Sequence, residues 1–269
     1  MIKKTRFLAG TAVAAVMAAS SAQAADLAPA PYYKAPPPPP VFSWTGCHVG
    51  GNLGIGAIHT TWQDTVADGN IDNNLPFLGF GFGGPTTRTA NIDGAGGVAG
   101  GQLGCDYQFA GNWVVGIAGS INWSDISATG MDQFNQTWTL RDKMDWYSTV
   151  TGRVGWTPIS TALIYGKGGA VFAHNNFEIE NSGVTLGTPN QVITGWTVGA
   201  GVEWAFSPSW SIFLEGSYFG LPTKTETFNN AFAVANAFVN PPFTINVKPS
   251  FETVTFGVNY HFWGGGGIY

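Results

Sequence analysis

Between residues 44 and 262 apolar side chains return at every second position, in eight separate runs of roughly 11 to 13 residues. A period of two places alternate side chains on opposite faces of a strand, whereas a helix needs a period near 3.6. The runs fall at about 46–57, 98–109, 113–124, 144–156, 162–173, 194–206, 210–220 and 251–262. In the third, Trp113, Val115, Ile117, Ile121 and Trp123 oppose Val114, Gly116, Ala118, Ser120 and Asn122. In the sixth, Trp196, Val198, Ala200, Val202 and Trp204 oppose Thr197, Gly199, Gly201 and Glu203. The fifth has an ambiguous parity, because Leu163, Tyr165 and Val171 share a face with Lys167.

The links between runs alternate in length. Runs two and three, four and five, and six and seven are joined by tight turns at Ala110-Gly111-Asn112, around Pro158 and at Ser207-Pro208-Ser209. The other links are long, at about 58–97, 125–143, 174–193 and 221–250. Short turns at one end and long loops at the other are the pattern of a bacterial outer-membrane barrel. An even strand number closes the sheet and leaves no unpaired edge in lipid.

Three features favour lipid over water on the apolar face. Charged residues are only 10% of the chain, against about a quarter in soluble domains. The face opposite the apolar one carries Gly, Ser, Ala and Thr with isolated charges, which suits a narrow lumen; a watered exterior carries many Lys and Glu. Aromatics also crowd the run ends, as in interfacial girdles. Trp44, Tyr107, Phe109, Trp113, Trp156, Trp204, Phe206, Trp210, Tyr260 and Phe262 are expected on the turn side, and Trp123, Trp146 and Tyr218 toward the loops.

Residues 1–24 read as a secretory signal peptide. Lys3, Lys4 and Arg6 precede an apolar stretch from Phe7 to Ala19, too short to span a bilayer, and Ala22-Gln23-Ala24 offers a small-x-small cleavage site. Removing those three cations from the 11 Lys+Arg leaves 8 against 16 Asp+Glu, a charge of −8 and a poor match for nucleic acid. Residues 25–43 hold the run Pro36 to Pro40 and are expected as an extended periplasmic spacer. Residues 44–262 form the barrel and 263–269 a tail.

Several stretches resemble OmpA-type transmembrane domains: Gly199-Ala200-Gly201-Val202-Glu203-Trp204-Ala205-Phe206-Ser207-Pro208, Thr151-Gly152-Arg153-Val154-Gly155-Trp156 and Gly257-Val258-Asn259-Tyr260-His261-Phe262. The start, Trp44-Thr45-Gly46-Cys47-His48-Val49-Gly50-Gly51-Asn52, with Gly101-Gln102-Leu103-Gly104-Cys105-Asp106-Tyr107, is similar to porin-like outer-membrane surface proteins of alphaproteobacteria. The resemblance implies an all-β fold, an eight-stranded antiparallel up-and-down transmembrane β-barrel. Two departures stand out. A tail follows Phe262, where such barrels end on the aromatic, and Ala118 and Phe213 stand where OmpA-type barrels carry charged partners.

Counting from the tight turns places Asp106, Arg153, Lys167, Glu203 and Glu215 at similar heights, on the order of 13–15 Å above the turns. They are expected to face inward as an ion belt linking Arg153, Lys167, Glu203 and Glu215, with Asp106 across the lumen. Cys47 and Cys105 lie near the periplasmic ends of neighbouring antiparallel strands and are expected to pair as a disulfide. No HExxH, GxSxG or CxxC pattern occurs, and His48, His59, His174 and His261 are scattered along the chain. His59, Asp64 and Asp68 read as solvated loop. Apolar loop residues, Phe77, Leu78, Phe80 and Phe82 in the first and Phe232, Val234, Phe238 and Val239 in the fourth, are expected to pack over the mouth.

The expectation is therefore a non-enzymatic structural barrel in the bacterial outer membrane, without cofactor or metal, that supports envelope integrity and displays loops. Its expected partners are outer-membrane lipid and lipopolysaccharide, periplasmic chaperones and the barrel-assembly machinery. The alternatives are a narrow pore for ions or small solutes and a soluble periplasmic ligand-binding barrel.

Overall fold

A computed structural model describes residues 42–64, 88–131, 138–181, 184–187, 190–228, 233–234, 237–238 and 243–262. The expected signal peptide, most of the proline-rich spacer, the tail after Phe262, and Phe77, Leu78, Phe80, Phe82, Phe232 and Val239 lie outside these residues. Twelve strands are described: β1 (Gly46–Asp64), β2 (Arg88–Phe109), β3 (Trp113–Met131), β4 (Trp138–Ile159), β5 (Ala162–Asn181), β6 (Val184–Gly187), β7 (Asn190–Ser207), β8 (Trp210–Gly220), β9 (Lys224–Phe228), β10 (Ala233–Val234), β11 (Ala237–Phe238) and β12 (Phe243–Phe262). No helix among the described residues is long and apolar enough to cross a membrane.

Eight strands form the wall in the order β1-β2-β3-β4-β5-β7-β8-β12, every pair antiparallel. The ring closes where β12 returns to β1, from Cys47 opposite Phe262 to Gln63 opposite Asn246. Every wall strand thus has two neighbours, and backbone groups that lipid cannot solvate are paired within the sheet. The hairpin after β2 turns through Ala110 and Gly111, with φ of 48° and 79°. Left-handed turn residues match the twist of the strands they join. Pro158 is still within β4, and the turn to β5 is Ser160-Thr161.

Seven of the wall strands are longer than the alternation suggests, at 18 to 22 residues. They continue well into stretches expected as loop: β1 runs to Asp64 and β2 begins at Arg88, both inside the link expected at 58–97. His59 consequently lies within β1, with its Nδ1 2.8 Å from Asp93 on β2. The exception is β8, of 11 residues. It stops at Leu221-Pro222-Thr223, where Pro222 has no N–H to give, and β9 resumes the pairing with β12.

The added length escaped the pattern because side-chain polarity inverts part-way up the wall while parity stays constant, except on β4, where a bulge between Met144 and Trp146 shifts it by one. In the turn-side half Leu53, Ile55 and Ile117 point outward and are 65%, 70% and 70% exposed. Higher up, Ile58, Ile126 and Phe177 point inward and are 0% exposed. The outward face there is polar, with Arg141 opposite Glu178 and Lys143 between Asp125 and Asp145. A strand with its apolar face outward is built for lipid, and one with its apolar face inward for water. The inversion therefore marks the outer membrane surface.

Outward aromatics mark the same boundary. Tyr107, Phe109, Trp113, Trp156, Trp204, Phe206, Trp210, Tyr260 and Phe262 ring the turn end, and Trp123, Trp196 and Tyr218 form the outer ring. Eight to ten residues separate the rings along a strand, roughly 20–25 Å at a tilt near 40°, the height of an outer-membrane apolar band. Trp44 does not join the lower girdle as expected. It is 1% exposed and turns into the barrel, where its indole N–H donates to Ser160 O at 3.0 Å.

Cys47 and Cys105 stand directly opposite in register on β1 and β2 and are joined by a disulfide. The fifth run, ambiguous in sequence, places Leu163, Tyr165, Lys167 and Val171 inward. Inversion at the outer ring yields a measurable contrast. Val202→Arg, outward near mid-membrane, should lower folding stability in lipid vesicles by about 2–4 kcal/mol. Gln63→Arg, outward on the extension, should change it by under about 0.5 kcal/mol in the same denaturant titration.

Candidate functional site

The inward faces of the eight wall strands stack into layers along the lumen. At the periplasmic mouth Trp44 packs with Val114, Leu163, Tyr165 and Ala205, and Phe42 packs on this group. The Phe42, Trp44 and His261 rings meet edge to face at 4.9 to 5.9 Å. Gln108 Oε1 accepts from the Trp44 backbone N–H, which fixes the chain as it enters β1.

Above this cap Arg153 crosses the lumen between two carboxylates. Its Nε donates to Asp106 Oδ1 at 2.7 Å, Nη2 donates to Asp106 Oδ2, and Nη1 donates to Glu203 Oε2 at 3.2 Å. Planar guanidinium geometry suits this fork. Glu203 Oε1 also accepts from Ser211 Oγ at 2.5 Å and Asn259 Nδ2 at 2.7 Å. His48 Nδ1 is 3.3 Å from Asp106 Oδ2, and His261 Nε2 is 3.4 Å from Glu203 Oε1. Asp106, Arg153 and Glu203 are 6%, 6% and 2% exposed, so each charge depends on its partners.

A second pair lies beside the first. Lys167 Nζ is 2.5 Å from Glu215 Oε1, with Ser217 Oγ donating to the same oxygen at 3.2 Å. Lys167 is the register partner of Arg153, and like charges directly opposite repel. The two cations reach different carboxylates. Tyr165 connects the groups: its hydroxyl donates to Glu215 Oε2 at 2.9 Å, and Arg153 Cζ stands 5.2 Å from its ring centroid.

All five charged residues singled out in the sequence are thus brought into the lumen, but as two clusters. Asp106 is the two-bond partner of Arg153. Glu203 and Glu215 each take one cation. The sequence reading treated His48 and His261 as scattered. Their inward parity was legible, but only ring closure makes them register partners, with ring centroids 5.6 Å apart.

Small neighbours make room for these side chains. A Cβ on Gly116 would fall onto the Asp106 carboxylate, and one on Gly201 would stand 2.6 Å from the Tyr165 hydroxyl. Above the ions, Asn52, Gln102, Ser120, Asn122, Thr149 and Thr255 help line a polar cavity of about 20 Å³, room for about one water molecule. Tyr147, Phe219 and Phe251 close it, with centroids 4.2 to 5.3 Å apart. Beyond lies an apolar plug that includes Ile58, Trp62, Ile126, Met144, Phe177 and Val247. Among the described residues no group of three or more His, Cys, Asp or Glu is placed to hold a metal ion.

Truncating the central cation leaves two buried carboxylates without their shared guanidinium. Arg153→Leu should lose about 3–5 kcal/mol in denaturant unfolding from lipid vesicles. Arg153→Leu combined with Asp106→Asn and Glu203→Gln should recover most of that loss, because no buried charge is then left alone.

Comparison with known proteins agrees with this architecture. A family model for the outer membrane protein beta-barrel domain matches residues 11–262. The 31 kDa outer-membrane immunogenic protein of Brucella melitensis is 29% identical over 260 residues, covering 92% of this chain and 96% of that protein. Among solved structures, OprG from Pseudomonas aeruginosa matches at 12% identity and TM-score 0.46, covering 82% of this chain and 99% of that one. Another is the outer membrane protease OmpT from Escherichia coli, at 11% identity and TM-score 0.42, covering 82% and 98%. A closed eight-stranded wall with a lipid-facing apolar band, and a family match over nearly its whole length, place this chain in the outer membrane as a member of the outer membrane protein beta-barrel family.

Proposed function

We propose that this protein is a sealed, non-enzymatic wall element of the outer membrane that carries a rigid β-extension and surface loops beyond the lipid. The observation that supports this most is the filling of the lumen along its length: aromatic cap, ion clusters, aromatic layer and apolar plug follow one another without a wide gap. Eight strands enclose an interior only just wide enough for side chains. The relative's printed name, an immunogenic outer-membrane protein, fits a wall whose strands run on past the outer aromatic ring. Lipid and lipopolysaccharide around the wall, and chaperones and assembly machinery on the route to it, are the partners that this role requires.

The narrow-pore reading draws support from one observation, the polar cavity between the ion clusters and the aromatic layer. Planar-bilayer recording separates the two. The sealed barrel is expected to give no steady open level at neutral pH. A steady conductance altered by Arg153→Ala or Glu203→Ala would establish the pore and overturn the sealed reading.

A further inference from the structure

Among the described residues, the apolar plug in the extracellular half buries one charged side chain completely. Asp142 on β4 is 0% exposed. It lies 16 residues before Pro158, on the order of 40 Å above the turns and well beyond the outer aromatic ring. Thr60 Oγ1 on β1 donates to its Oδ2 at 2.6 Å, and Asn175 Nδ2 on β5 donates to its Oδ1 at 3.0 Å. These two bonds tie β4 to β5 beside it and to β1 across the lumen.

Among the described residues no cation is paired with this carboxylate. In register beside it are Ala128 on β3 and Phe177 on β5. The plug contributions of β1, β2, β7, β8 and β12 include Ile58, Ile92, Ile193, Phe219 and Val247. Half-buried Lys224 on β9 stands opposite Val247 in register and is not ion-paired with Asp142. Tyr147, lower on β4, is a second titratable group of the plug. Arg141 and Lys143 flank Asp142 in sequence but take the opposite, watered face, as do the pairs His59–Asp93 and His174–Asp145. Two further plug atoms are buried and unsatisfied: the Trp62 indole N–H, a donor, and Asn175 Oδ1, an acceptor that no donor among the described residues reaches. An ionised Asp142 has no proton to offer. A protonated one has, and the acceptor belongs to the residue already bonded to it.

We propose that Asp142 makes the extracellular plug an acid-tightened seal: uptake of one proton removes the plug's uncompensated charge and supplies the donor that Asn175 lacks. Burial pushes the Asp142 carboxyl up from 3.8 to about 6, against the opposing pull of the Thr60 and Asn175 hydrogen bonds. The direction follows. A closed plug that holds its proton more tightly than an opened one is most stable below the ordinary carboxylate range. That advantage is lost as pH rises toward and through about 6. Protonation of the surface histidines acts on the outer face and does not involve Asn175.

Hydrogen exchange on the full-length protein in phosphatidylcholine vesicles tests this, read on peptides spanning 139–147 and 171–178 and corrected for intrinsic exchange chemistry. Wild type should open about tenfold less often at pH 5 than at pH 7.5. Asp142→Asn, which is neutral and shaped like the protonated acid, should be as protected at pH 7.5 as wild type is at pH 5, with no pH dependence. Thr60→Val removes a donor to the ionised form and should move the wild-type midpoint to higher pH. Equal wild-type protection at both pH values overturns the proposal. So does pH dependence that survives in Asp142→Asn, which would assign it to the surface histidines, or an unmoved midpoint in Thr60→Val. If Asp142→Asn fails to fold, the Thr60→Val midpoint still separates Asp142 from the surface histidines, because the Thr60 hydroxyl bonds to that carboxylate.

Discussion

The pairing of β12 with β1 is the interaction on which the remaining architecture rests. In hydrocarbon an unpaired strand edge leaves a row of N–H and C=O groups with nothing to bond, at several kcal/mol per group. Closing the ring removes both edges at once and fixes the strand number. That number then sets a lumen about as wide as the side chains that fill it. Closure also joins the two ends of the described barrel, so that His48 and His261 meet and stand over the carboxylates that Arg153 bridges.

Everything inside the lumen answers to the absence of bulk water. Arg153 is held by two carboxylates because a single unpartnered charge at that depth is costly. Lys167 takes Glu215, and Tyr165 satisfies both groups, its face toward one cation and its hydroxyl toward the other's carboxylate. Asp142 departs from this economy: a buried carboxylate held by a hydroxyl and an amide alone, in the part of the barrel that leaves the membrane.

Most of the wall was legible in the sequence where lipid is the solvent. Leu53, Ile117 and Val202 alternate with small polar residues, and that alternation set strand identity, facing and the tight turns. The stretches beyond the outer ring were read as loop because their apolar residues, such as Ile58, Ile126 and Phe177, appear on the parity that had been polar below. A pattern scored against one solvent breaks where the solvent changes, although the strand does not. Trp44 was misplaced for a related reason: an aromatic at a strand start fits a girdle and a cap equally well, and only the Ser160 carbonyl and the Leu163 and Val114 side chains distinguish them.

The sequence by itself determined that this chain closes into a tube of strands, which face meets lipid and which ionisable residues must turn inward. Period, turn spacing and the cost of charge in hydrocarbon are local properties, and each can be counted along one strand. Which carboxylate holds which cation was decided only by the tertiary structure, as were the filling of the lumen from mouth to plug and the isolation of Asp142. Those outcomes depend on the register and stagger between strands distant in sequence, which bring Asp106, Arg153 and Glu203 to one point of the lumen. No single strand's pattern carries that information.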